Sequence, residues 1–302
     1  MHSLQSTIVT VTTTGVGWGL LSALALGVNS ILVAVSARRV GVLRTTAVSI
    51  VIAFALLVGW ALVARLDFDL RGRDWLVLSS LAAAAAAAFL ASYRALQLGP
   101  LAVVSPVSAT NGLMTVVFAF AFIGERPSTV QWCGIPLAAA GAVLASLRSG
   151  TGGRLSFVGA GPLFAVIGVA TGAISNAGLR VPIREIGPVQ AILVQRAFTI
   201  VYIWLLLLVV VAAPGLRMAP RAGRGSRLDV ALLGTVGLLD AVSFLTFARG
   251  LAVAPAWLIG MLSQSGRAIA VVGGVLLFRE RLAAHQWGGI ALLAGGLVLA
   301  IL

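Results

Sequence analysis

Ten long apolar runs recur along the whole of this chain, each of a length to cross a bilayer as a helix. They fall near residues 15–36, 45–64, 75–97, 100–123 and 130–147, and again near 157–178, 188–212, 229–250, 255–278 and 286–302. A hydrocarbon core of ~30 Å takes about 20 apolar residues of helix. Inside it every backbone N–H and C=O must be satisfied by the chain itself, which leaves helices and closed barrels. Barrel strands would alternate polar and apolar over ~10 residues. These runs are continuously apolar, so they predict an all-α integral membrane protein.

The charges agree with that reading. Only 10% of residues are charged, against roughly a quarter in soluble domains. The formal charge of +13 raises nucleic acid as a partner. However, the arginines (Arg38, Arg39, Arg65, Arg71, Arg73 and Arg148 among them) sit in the gaps between apolar runs. They form no basic face with interleaved aromatics, so membrane lipids are the expected partner and nucleic acid is not. The lone Cys133 excludes an internal disulfide, and with only His2 and His285 beside it no metal site is expected. The GxG fragments near Gly15 and Gly159 complete no dinucleotide fingerprint, and nothing resembles a triad, a carboxylate pair or a phosphate loop. Neither cofactor nor enzymatic activity is expected. The first 14 residues carry no basic side chain, so the first run is expected to be retained as a spanning helix.

The chain repeats itself. A shift of 155 residues aligns 74–147 with 229–302 without a gap, matching Asp74 with Asp229, Arg94 with Arg249, Pro100 with Pro255, Ser108 with Ser263, Gly134 with Gly289 and Gly141 with Gly296. Glu125-Arg126 meets Glu280-Arg281, and the chain has only three glutamates. The earlier runs align more loosely, Arg44 with Arg196 and Asn29 near Asn176. Two repeats follow, 15–147 and 157–302, with five helices each. An odd number inverts the second repeat in the membrane relative to the first, an arrangement of many transporters that holds substrate near the midplane.

The segment ALQLGPLAVVSPVSATNGLMTVVFAFAFIGERPSTVQWCGIPLAAAGAVLAS and its partner ARGLAVAPAWLIGMLSQSGRAIAVVGGVLLFRERLAAHQWGGIALLAGGLVLA resemble the two repeats of EamA-type transporters in the drug/metabolite transporter superfamily. That resemblance implies a multi-pass inner-membrane carrier of ten helices. It also implies a central cavity lined chiefly by the third, fourth, eighth and ninth of them, and export of amino acids, metabolites or drugs. Family members often carry a proline midway along the fourth and ninth helices, where this chain has Gly112 and Arg267. Glycine still permits a bend; arginine is a different device.

Asp240 and Arg267 are the charges that membrane burial makes informative, because an ion in hydrocarbon costs at least ~2.5–3.5 kcal/mol and marks an interior or wet surface. Asp240 lies 13 residues before Val253 and Arg267 lies 14 after it, so a helical hairpin brings both to one depth. Two readings stay open: the pair locks the helices together, or the arginine fork captures a carboxylate or phosphate. The first repeat has Ala85 and Gly112 in their places. Ser263 and Gln264 share a face with Arg267, and Ser108, Thr110 and Asn111 lie at the same depth in the other repeat.

Arg196 lies inside the seventh run, with a stem long enough to snorkel to an interface. Trp18, Tyr93 and Trp257 are expected as interfacial anchors. The small-residue pairs Gly134/Ala138, Gly141/Ala145 and Gly168/Gly172 predict close helix packing. The two Glu-Arg pairs are expected to be loop ion pairs. Loops after odd-numbered helices hold twelve arginines against seven after even-numbered ones. That count puts both termini outside, whereas the family resemblance puts them inside.

The function these features predict is a secondary transporter, an exporter of a small polar or anionic metabolite, amino acid or drug, working by alternating access. Its substrate-binding set is Arg267, Asp240, Asn111, Ser108, Ser263 and Gln264. A flippase for a lipid-linked or amphiphilic substrate is the alternative on the same fold. Monomer and homodimer are both open.

Overall fold

The computed structural model describes residues 2–124, 128–149, 155–157, 159–212 and 226–301, and there the chain is helical apart from one two-stranded ladder. The order is α1 (His2–Arg39), α2 (Val42–Val63), α3 (Gly72–Leu98), α4 (Leu101–Ala109) and α5 (Asn111–Phe118), which runs into a π-turn at Ala119–Ile123, then α6 (Thr129–Ser146). The strands β1 (Leu147–Ser149) and β2 (Leu155–Phe157) pair antiparallel. The second half holds α7 (Gly161–Gly178), α8 (Arg180–Ile186), α9 (Pro188–Ala212), α10 (Arg227–Val253), α11 (Ala256–Ser265), α12 (Arg267–Leu277) and α13 (Ala284–Ile301).

Among the described residues, eight helical segments are long and apolar enough to cross a membrane. They are α1 from Thr14, α2, α3, α4 with α5, α7 with α8, α9 as far as Leu206, α10, and α11 with α12 from Leu258. The helices α6 and α13, of 18 residues each, are not among the eight.

Local chemistry sets the element boundaries. Asp74 and Asp229 each occupy the third position of a long helix, where a carboxylate can satisfy free N–H groups. Asp74 accepts from the Arg71 amide at 2.8 Å and Asp229 from the Ser226 amide at 3.3 Å. The turns before α2 and α9 pass through Gly41 (φ 98°, ψ 153°) and Gly187 (φ 96°, ψ 155°), a region open essentially to glycine alone. That shared turn corrects the looser alignment. Arg44 is three residues past its glycine and exposed, whereas Arg196 is nine past its own and 1% exposed, so the two are not counterparts.

The fourth and ninth runs are each broken. Pro106 removes a backbone donor inside α4. At Thr110 the amide and the hydroxyl both turn back to the Val107 carbonyl. The break thus comes two residues before Gly112, the expected bend. In the ninth run it comes at Gly266, beside Arg267, where α1 also seats: a Cβ on Gly266 would collide with the Ala23 backbone. The broken helices pack on one another, α4 on α12 and α5 on α11. Gly112 lies against the Gly260 carbonyl, Gly260 against Thr115, and Gly274 against Ala102.

A second crossing joins α6 to α13. Gly141 meets the backbone of Gly289 and Leu293, Gly289 meets that of Ala145, and Gly296 meets that of Ala138 and Gly134. Contacts that rise in number on one helix as they fall on the other mean an antiparallel pair, and small residues let its backbones touch. The expected Gly168/Gly172 pair packs α7 on α3 at Ser92 and Ala88.

Glu280 pairs differently from expectation. Its carboxylate accepts the amides of Leu101 (2.8 Å) and Ala102 (2.7 Å), capping α4, and lies 3.7 Å from Arg38. The two orphan donors of a helix N-terminus are a stronger partner for a carboxylate than an adjacent exposed arginine. Glu125 and Arg126 lie outside the described residues.

Candidate functional site

The junctions of the broken helices open onto a cavity of about 120 Å³. Its wall draws on α1, α3, α4, α5, α7, α10, α11 and α12. Five of the six residues singled out from the sequence line it: Ser108, Asn111, Asp240, Gln264 and Arg267. The sixth, Ser263, turns away and shares a 2.9 Å hydrogen bond with Ser22, whose hydroxyl also reaches the Ser243 carbonyl at 3.0 Å. With 3% exposure Ser263 ties α1 to α10 and α11.

The charge pairing differs from the sequence expectation. Asp240 does not meet Arg267; its Oδ2 lies 2.9 Å from Nη1 of Arg196. Arg196 is not at an interface either. It is fully buried, with its guanidinium 3.9 Å from the Phe244 ring centre and 4.8 Å from that of Phe89. Ring faces attract a desolvated cation, and they hold Arg196 where depth along the helix could not reveal it.

Arg267 is left for the cavity. Its Nη1 donates to Ser30 Oγ at 2.8 Å and its Nε to Gln264 Oε1 at 3.4 Å. Among the described residues no carboxylate lies within ion-pair distance of it. Ser30 passes its own proton to the Leu26 carbonyl at 2.8 Å, so its oxygen is turned toward the arginine.

Across the cavity the Asn111 amide is held at both ends, donating to the Val169 carbonyl at 3.1 Å and accepting from Asn176 at 2.9 Å. Gly172 makes this possible, since a Cβ there would sit 2.7 Å from Asn111 Nδ2. Gln195 and Ser175 continue the polar layer with a 2.8 Å bond.

Sequence reasoning missed several wall residues. Tyr93, expected at an interface, is 6% exposed and stacks edge-on against Phe89 inside the cavity. Asn29, Ser30, Asn176, Phe89 and Phe244 also line it. A signal for part of this set was present: the chain contains three asparagines, each inside an apolar run, and all three line the cavity. Among the described residues no cluster of His, Cys, Asp and Glu could hold a metal.

Comparisons with known proteins agree with this architecture. A solved crystal structure aligns over 98% of this chain and 96% of its own with a TM-score of 0.65; at 19% identity it bears on the fold alone. An uncharacterized transporter in the cobO 3′ region of Sinorhizobium sp. is 31% identical over 137 residues, which covers 42% of this chain and 92% of that protein. The sequence description of the EamA-like transporter family matches residues 13–147. With eight apolar spans among the described residues, a relative covered over nearly its whole length, and a family match across the first half, this multi-pass membrane protein belongs to the EamA-like transporter family.

Proposed function

We propose that the protein is a secondary transporter that exports a small polar or anionic solute, a metabolite, amino acid or drug, across the inner membrane by alternating access. In this reading all ten apolar runs cross the membrane, α6 and α13 included, as two inverted repeats at 15–147 and 157–302. The antiparallel α6–α13 contact supports it, because residues equivalent under the 155-residue shift, Gly134 with Gly289 and Gly141 with Gly296, occupy both sides of one seam. The crossing of the two broken helices supports it as well, since discontinuous helices near the midplane are where transporters of inverted topology bind solute.

The observation that carries the reading is Arg267, a guanidinium on a cavity wall with a serine and a glutamine for partners and, among the described residues, no acid. Buried charge without a counter-charge is expensive, and an anionic solute supplies one. Gln264, Ser108 and Asn111 line the same space and offer hydrogen bonds, Asp240 borders it as the neutralised partner of Arg196, and Ser263 is support behind the wall.

A metabolite-library stability screen on the purified protein, followed by uptake into proteoliposomes, tests this. Because Asp240 is paired elsewhere, the single change Arg267→Gln leaves no lone acid behind. It should abolish saturable uptake of the solute found while the protein remains monodisperse. Unchanged uptake by Arg267→Gln refutes the reading.

A further inference from the structure

We infer that the cavity is built for an organic monoanion with an apolar body and a neutral hydrogen-bond donor beside its carboxylate, as in 2-hydroxy acids and N-acylated amino acids. This deepens the proposed function and rests on reading the cavity as the transport site. The first argument is charge. Of the charged side chains, Asp240 and Arg267 line the cavity. Asp240 is neutralised from behind by Arg196 at 2.9 Å, so the wall carries one uncompensated positive charge. A ligand with one negative charge balances it. A zwitterion would bring an ammonium group to a site with no free carboxylate, and a dianion would bring a charge with no partner, each a desolvation cost without return.

The second argument comes from Asn29. It neighbours Ser30, whose hydroxyl takes the Arg267 proton at 2.8 Å. Asn29 lines the same cavity, is 5% exposed, and its Oδ1 is buried with no partner. A buried acceptor left empty is costly, and such groups in native proteins call for an explanation. Once the Asn29 amide turns toward the cavity that the residue lines, its oxygen accepts an O–H or N–H on the carbon next to the carboxylate of a ligand anchored on Arg267. Beside the polar layer of Ser108, Asn111, Ser175 and Asn176, the wall carries Leu26, Val33, Phe89, Leu96, Val169 and Phe244, which suits a branched or aromatic body.

Three acids on one six-carbon skeleton separate these terms: 2-hydroxy-4-methylpentanoate, 4-methylpentanoate and leucine. Equilibrium binding of each to the purified full-length protein should rank the hydroxy acid first. It should exceed the deoxy acid by about tenfold, the order expected for one buried hydrogen bond, and leucine should be weakest. Asn29→Leu should erase the advantage of the hydroxy acid over the deoxy acid, and Arg267→Gln should remove binding of both. The wild-type ranking needs no variant, so a misfolded Asn29→Leu leaves the inference testable. Leucine binding best, an unchanged ratio in folded Asn29→Leu, or no binding by any of the three overturns the inference. Transport of a different solute class that depends on Arg267 would in each case leave the transporter reading standing.

Discussion

Arg196 on α9 and Asp240 on α10 meet at 2.9 Å, with the guanidinium held against Phe244 and Phe89. The acid that lies level with Arg267 along the helical hairpin is thus already engaged by another helix. Breaking such a buried pair from one side costs about 3–5 kcal/mol, whereas replacing both members by apolar residues is often neutral. Arg196→Met and Asp240→Leu should each lower the thermal unfolding midpoint sharply. The double variant should recover most of the loss, as read by the protein's melting in detergent.

Ser108 and Ser263 are counterparts in sequence with different surroundings. Ser108 faces the cavity, while Ser263 bonds Ser22 behind the wall. Ser263→Ala should cost about 1 kcal/mol of stability for the lost hydrogen bond and leave solute affinity unchanged. Ser108→Ala should do the reverse, and comparing melting with uptake KM for the two variants reads this directly.

Gly172 keeps the Asn111 amide in place by leaving room for it. Gly172→Ala puts a methyl 2.7 Å from Asn111 Nδ2 and should turn the amide off the Val169 carbonyl, at a cost of about 1 kcal/mol. The uptake KM should rise about fivefold with normal amounts of protein in the membrane. Adding Asn111→Ala should produce little further loss, because the two changes act through one group.

Glu280 should prove a stability residue. Hydrogen bonds to a charged group are worth about 1.5–3 kcal/mol, and Glu280 makes two at the start of α4. Its ion pair with Arg38 is long, at 3.7 Å, and a third of the arginine side chain is exposed, a setting worth about 0–1 kcal/mol. In a double-mutant cycle the coupling between Glu280 and Arg38 should therefore account for only a small part of the melting loss in Glu280→Ala.

Much of the architecture was legible because membranes impose long runs and because rare residues mark a repeat. The bounds of α2, α3, α9 and α10 fall within a few residues of the apolar runs. The capping acids Asp74 and Asp229 were visible as a matched pair before their role was. What stayed hidden depends on azimuth and on distant contacts. Depth placed Asp240 level with Arg267, but rotation about the helix decides which arginine an acid faces, and two aromatic rings on different helices fixed Arg196 as the one. The break in the ninth run coincides with the docking of α1 at Gly266, a contact between residues 23 and 266 that no local pattern encodes. Glu280 sits next to Arg281 in the chain, yet its partners are amides nearly 180 residues away.

The seam between α6 and α13 has a mechanical consequence. Two helices in backbone contact have no layer of side chains to reshuffle, and small sliding of packed helices depends on such a layer. Gly134, Gly141, Gly289 and Gly296 therefore form a weld. If the protein works by the alternating access proposed above, the motion must leave this pair moving as a single strut, with the give located at Thr110 and Gly266, where the helices are already interrupted.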